Sequence, residues 1–179
     1  MKIGFLRAYD PNLPYQWSLP PLGIGYLAAY AKRVLPQHEY IFEKTIERLL
    51  EHKPDLLAIS SASENFGQAE RFALLARETL GIPSIVGGMH TTSLPLGLPE
   101  AFEAGCVGEG EQTFVELAQL YEAKRKPAAA DFARIPGLVY HDGPRRVLTA
   151  GREPLDMETL PLPDRQMLGE DWAQGIWRE

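Results

Sequence analysis

Between Pro54 and His90 the chain changes polarity in blocks. An apolar run, Leu56–Ser60, is followed by small hydroxyl residues, and then by a long segment with apolar residues at helical spacing. A second apolar run at residues 84–86 ends in Gly87-Gly88-Met89-His90. Uninterrupted apolar runs of this length predict strands buried on both faces, and the 3.6-residue period between them predicts a helix. That helix is expected over about residues 66–80, stopped by Gly81 with Pro83 beyond. The same alternation recurs along the chain. Strands are expected at residues 2–7, 39–43 and 106–107, and helices behind Pro20-Pro21, around residues 46–50 and over residues 111–124. In the first helix Leu22, Tyr26, Leu27, Tyr30 and Val34 supply the helical spacing. Pro95, Gly97 and Pro99 allow only a short helix near residues 100–104.

Strands alternating with helices predict an α/β fold with a parallel sheet and right-handed crossovers. Five strands suggest a flavodoxin-like, Rossmann-like sheet of order 2-1-3-4-5. In that order the loop from Tyr9 to Pro21, the Ser60–Asn65 turn and the Gly87–His90 segment share one rim. Open α/β sheets bind ligands at such a rim, outside the carboxyl ends of the strands. After Lys126 the pattern weakens. Residues 1–126 therefore read as one domain, and 127–179 as a β-hairpin extension, turned at Asp142-Gly143, plus an extended connector. Trp172 and Trp177 in that connector suit a partner surface.

Composition narrows the function. With 45% hydrophobic and 23% charged residues the chain has the make-up of a soluble globular protein. A net charge of −6 leaves no basic footprint for nucleic acid, and no apolar run approaches the length of a membrane span. The N-terminus lacks a secretory signal, so a cytoplasmic location is expected. Cys106 is the single cysteine, which excludes a disulfide framework, a thiolate zinc site and iron–sulfur ligation from within this sequence. It reads as buried packing, and no catalytic or metal-ligating residue is expected.

Candidate ligand contacts gather at the expected rim. Ser60, Ser61, Ala62 and Ser63 leave space and offer hydroxyls, although Ser63 also suits a helix N-cap. Gly87 and Gly88 let the backbone itself line a slot, where an added methyl would overpack a bound ligand. Met89 and His90 follow as rim contacts. Gly108-Glu109-Gly110-Glu111 has the glycines of a phosphate cradle, but its two carboxylates suit a neutral or hydroxylated group better. Tyr9, Asp10, Leu22 and Gly23 complete the set from the first loop and helix start. No GxGxxG follows the first strand and no Walker loop is present, so nicotinamide and nucleoside-triphosphate readings are poorly supported.

In order, PPLGIGYLAAYAK, PDLLAISSAS, SIVGGMHTT, VGEGEQTFVEL, IPGLVY and LDMETLPLPDR resemble the N-terminal cobalamin-binding domain of B12-dependent radical S-adenosylmethionine enzymes. The resemblance spans nearly the whole chain. It implies a module that holds cobalamin base-off, with the dimethylbenzimidazole tail in a slot between the third and fourth strands. Ser61 to Ser63 and Gly87-Gly88 would line that slot, and Gly108 to Glu111 the nucleotide side. The corrin would rest on the first loop and His90. It further implies a radical SAM domain in cis or trans, contributing an iron–sulfur cluster and S-adenosylmethionine, and a parent enzyme that is a methyltransferase or related transferase. The module alone would not be catalytic.

Two departures qualify this picture. Related cobalamin domains carry Asp-x-His-x-x-Gly after the first strand, whereas YDPNLPYQW here has no histidine. A lower axial histidine from that loop is thereby excluded, leaving water, no ligand, or Tyr9 or Asp10. The CxxxCxxC cluster motif is also absent. Two rivals stand beside this reading. One is a degenerate flavodoxin-like domain that docks a partner without cofactor; the other is a flavin carrier, disfavoured by the lack of a phosphate loop after the first strand.

Overall fold

Buried runs in the strands fix the layers of the molecule. The computed structural model describes residues 1–10, 12 and 19–169. In chain order the elements are β1 (Lys2–Arg7), α1 (Leu22–Val34), β2 (Glu39–Phe42), α2 (Ile46–Glu51), β3 (Leu56–Ser60), α3 (Phe66–Leu80) and β4 (Ser84–Gly87). They continue with α4 (Met89–Ser93), β5 (Ala104–Cys106), α5 (Glu111–Ala123), α6 (Ala129–Phe132), β6 (Leu138–Asp142), β7 (Arg145–Leu148) and α7 (Arg165–Leu168).

The five parallel strands take the expected order 2-1-3-4-5, and the hairpin continues the same sheet, giving β2-β1-β3-β4-β5-β6-β7. β6 pairs antiparallel with β5, Gly105 opposite Val139. Gly105 has no room for more: a Cβ there would lie 2.8 Å from Thr91 and 2.9 Å from Val139. The hairpin turns one residue later than the sequence suggests. Asp142 pairs with Arg145, so Gly143-Pro144 is the two-residue turn, with Gly143 at φ +59°. A glycine at positive φ in the first central position is what such a reversal requires.

Side-chain parity divides the core in two. Phe5, Ala58, Ile85, Ala104 and Cys106 face α1 and α5, while Leu6, Leu57, Ile59 and Val86 face α2 and α3. Against the sheet α1 buries Ile24, Ala28 and Ala31, with Gly25 buried on another side under Pro163 and Leu168, whereas Leu22 and Val34 are exposed. Leu22 and Val34 thus do not mark the inner face, which Ile24 shares with two alanines. Close approach to the sheet selects small side chains there, and a count of bulky residues misses them. Gly81 ends α3 at φ +67°, the left-handed cap expected of it. No helix forms at residues 100–104; the short helices here are α4 and a 3-10 turn at Pro95–Gly97. Trp172 and Trp177 lie outside the described residues.

Candidate functional site

Register explains why a hollow exists on the α1/α5 side. Phe5 pairs with Ala58, Ala58 with Ile85, and Ser60 with Gly87, all at positions of the same parity. Toward the carboxyl ends of β3 and β4 that face therefore carries only Ala58, Ser60 and Gly87, beside Cys106 of β5. Above them the starts of α1 and α5 contribute Gly23 and Gly110. Small residues in both layers leave a cavity of about 230 Å³, walled by Phe5, Ile24, Leu27, Ile85 and Phe114. Drug-sized ligands usually occupy roughly 300–1,000 Å³, so this volume suits one flat ring system of a larger molecule.

Of the residues singled out in the sequence, Gly23, Ser60, Gly87, Gly88, Gly108, Glu109, Gly110 and Glu111 line this cavity. The two central glycines differ in purpose. A Cβ on Gly87 would meet only Cys106, at 3.6 Å, an ordinary contact. A Cβ on Gly88 would sit 2.7 Å from the Ser61 carbonyl oxygen, at φ +100°. Gly88 is thus fixed by the backbone of the neighbouring turn, not by ligand space alone. Ser61 N–H donates to the Gly87 carbonyl at 3.0 Å and ties the two strand ends together.

Others stand elsewhere. Ser61 is buried and its hydroxyl donates to the Ala62 carbonyl at 2.9 Å. Ser63 is no N-cap: it opens a 3-10 turn, and its Oγ lies 3.0 Å from His90 Nδ1. The His90 ring stacks on Phe66 with centroids 3.7 Å apart. Ala62, Ser63, Met89 and His90 therefore form a rim outside the cavity, with Met89 76% exposed. Leu22 is exposed beside the cavity wall. Tyr9 packs on Phe72 across the opposite face of the sheet, ring centroids 5.0 Å apart. Asp10 accepts from both the backbone and side-chain amides of Asn12. Most of the loop after β1 lies outside the described residues.

The residues that sequence reasoning missed are the wall: Phe5, Ile24, Leu27, Ala58, Ile85 and Phe114. Ala58 was recoverable, because it shares parity with Ser60 in an otherwise bulky strand. The electrostatics are one-sided. Among the described residues Glu109 and Glu111 are the ionisable carboxylates of the lining, and no Lys, Arg or His joins them. Burial, reinforced by Glu109, holds the Glu111 carboxyl above its usual range. Glu109 accepts the Leu155 N–H at 2.9 Å, and the Gly108 N–H donates to Thr92 Oγ1 at 3.0 Å, so the loop is braced from two sides.

Cys106 forms part of the floor. Burial pushes its thiol up to about 12, with Glu111 adding and Arg152 opposing. A thiol held neutral is a poor nucleophile. A disulfide reagent at about pH 8 should leave Cys106 untouched in the native protein and label it only in denaturant. Fast native labelling would show instead that the floor opens. Among the described residues no group of three or more His, Cys, Asp or Glu side chains could hold a metal ion, and no helix is long and apolar enough to cross a membrane.

Residues 15–118 match the B12 binding domain family. Two solved structures of the radical S-adenosylmethionine methyltransferase TsrM from Kitasatospora setae share the fold. One, with tryptophan substrate and a SAM analogue bound, is 20% identical at a TM-score of 0.66, covering 83% of this chain and 30% of TsrM. The other, with cobalamin and a [4Fe-4S] cluster bound, is 17% identical at 0.65, covering 90% and 31%. The chain thus spans about a third of the length of these structural relatives. No curated protein sequence matches. With more than half its length matched by the family, the chain belongs to the B12-binding domain family.

Proposed function

We propose that the chain is the cobalamin-holding module of a radical S-adenosylmethionine methyltransferase or related transferase. The cavity takes the detached dimethylbenzimidazole tail, and the corrin lies over the rim of Met89, His90 and the loop after β1. The observation that carries this reading is the hollow over Ala58, Ser60 and Gly87, roofed by Gly23 and Gly110, in a chain of the B12-binding family. Its residues fit such a tail. The walls are apolar, the volume matches one ring system, and Gly87 adds no side chain to the space. A module that had lost its cofactor would be under no constraint to keep this space open; larger side chains at residues 58, 60 and 87 would gain burial by filling it.

Within this reading the chain's own residues bind and orient, and make no covalent bond. Leu27, Ile85 and Phe114 exclude water from the tail. Glu109 and Glu111 supply acceptors for hydroxyl or amide groups at the mouth. The chemistry supplied by bound cobalamin is the carriage of a methyl group on cobalt. A radical SAM domain, in cis or trans, would contribute the iron–sulfur cluster and S-adenosylmethionine in a cytoplasmic setting. Residues 9–17 contain no histidine, so this loop supplies no lower imidazole ligand.

The test is retention. The protein mixed with hydroxocobalamin and desalted should keep the red absorbance, with the spectrum of a corrinoid whose tail is detached. Cobinamide, which lacks the tail, should be retained far less. Passage of both corrinoids straight through the column would end the cofactor reading; equal retention of both would move the tail out of this cavity.

A further inference from the structure

α1 has two working faces, and the chain after β7 is fastened to the one that the cavity does not use. Toward the cavity it presents Gly23, Ile24 and Leu27. On its outer side Gly25 is covered by the connector: a Cβ there would lie 3.1 Å from Pro163 and 3.2 Å from Leu168. The Gly25 carbonyl accepts the Asp164 N–H at 3.0 Å. Lys32 pairs with Asp164 at 2.5 Å, and Arg33 donates to the Thr159 carbonyl at 2.7 Å. Asp164 also caps α7 by accepting the Met167 N–H at 2.9 Å, and α7 buries Leu168 in the α1/α5 core.

The other end of the same segment is fastened to α5. Arg152 donates through Nε to Thr113 Oγ1 at 2.9 Å and pairs with Glu116 at 2.7 Å. Leu155 N–H reaches Glu109, a residue of the cavity lining. The segment therefore crosses from the start of α5 to the outer face of α1. These are the two helices whose first turns roof the cavity.

We infer that residues 152–168 form a strap that sets the separation of α1 and α5, so that docking of the strap and filling of the cavity stabilise one another. The inference rests on the cobalamin reading of the cavity and adds to it positioning residues that need not touch the ligand. Coupling of this kind is reciprocal: a filled cavity must hold the strap as firmly as the strap holds the cavity.

Two variants loosen the strap from the side away from the cavity. Gly25→Leu drives a side chain into Pro163 and Leu168, and Asp164→Asn keeps a competent cap for α7 while removing the ion pair with Lys32. Hydroxocobalamin titration followed by absorbance should give a Kd about tenfold higher for Gly25→Leu, within the usual 5- to 150-fold span of coupled sites. Asp164→Asn should shift in the same direction by less. Hydrogen exchange supplies the readout that a merely structural role would not move. Cobalamin should slow exchange of amides 160–168 in the wild-type chain, and that slowing should shrink in Gly25→Leu. Retention by wild type with unchanged exchange in the strap, or a Kd within about twofold of wild type for Gly25→Leu, would overturn the strap and leave the cofactor reading intact. A wild-type chain that retains no cobalamin removes both.

Discussion

Gly87→Leu is expected to release cobalamin while the fold persists. Gly87 lies at the end of β4 with its Cβ direction toward Cys106, 3.6 Å away, and with ordinary backbone angles. A β-carbon is therefore accommodated, and the remaining carbons enter the hollow shared with Ala58 and Ser60. Overpacking costs about 1–3 kcal/mol, and every ~1.4 kcal/mol is tenfold in affinity, so binding should weaken roughly 5- to 150-fold. Absorbance titration with hydroxocobalamin measures this, and circular dichroism should match wild type. An unchanged Kd would show that the tail lies outside this cavity.

The neighbouring Gly88→Ala should do the opposite, and damage the fold before it damages binding. Its φ of +100° with ψ of −170° belongs to a region that side chains scarcely enter, at about 1–3 kcal/mol. The added methyl would also stand 2.7 Å from the Ser61 carbonyl oxygen, an atom that cannot yield without disturbing the β3 turn. A combined loss of roughly 3 kcal/mol is expected. For a chain of this length that lowers the apo Tm by roughly 6–12 °C. A Tm unchanged by the methyl would mean that the Ser60–Ser61 turn relaxes freely. The pair of variants thus separates two glycines that look equivalent in the sequence.

That equivalence shows where sequence reading stops. Parallel strands and their order could be read from apolar blocks and chain order, because burial on both faces leaves an unmistakable run such as Leu56–Ser60. Backbone angle leaves no such trace: nothing in Gly87-Gly88 tells which glycine is held by a carbonyl contact. The inner face of α1 was hidden for another reason. Ala28 and Ala31, both fully buried, carry the close packing, while the bulkier Leu22 and Val34 face outward. The N-cap alternative for Ser63 fails because its actual partner, His90, is remote in sequence and meets it only through the pairing of β3 with β4. The hairpin was legible as a hairpin. Its annealing to β5 depends on Gly105, whose lack of a side chain acquires meaning only when Val139 is placed opposite it.

The annealed hairpin also changes what the sheet offers to other chains. Without it β5, three residues long and wholly buried, would present unpaired backbone groups at an edge. With it the edges are β2, opened by Glu39, and β7, opened by Arg145 and Arg146. Charged edge residues discourage strand-to-strand annealing between molecules. A unit sealed in this way can be joined to other domains without sticking to its own copies, which gives the hairpin a part in the portability of the module as well as in its packing.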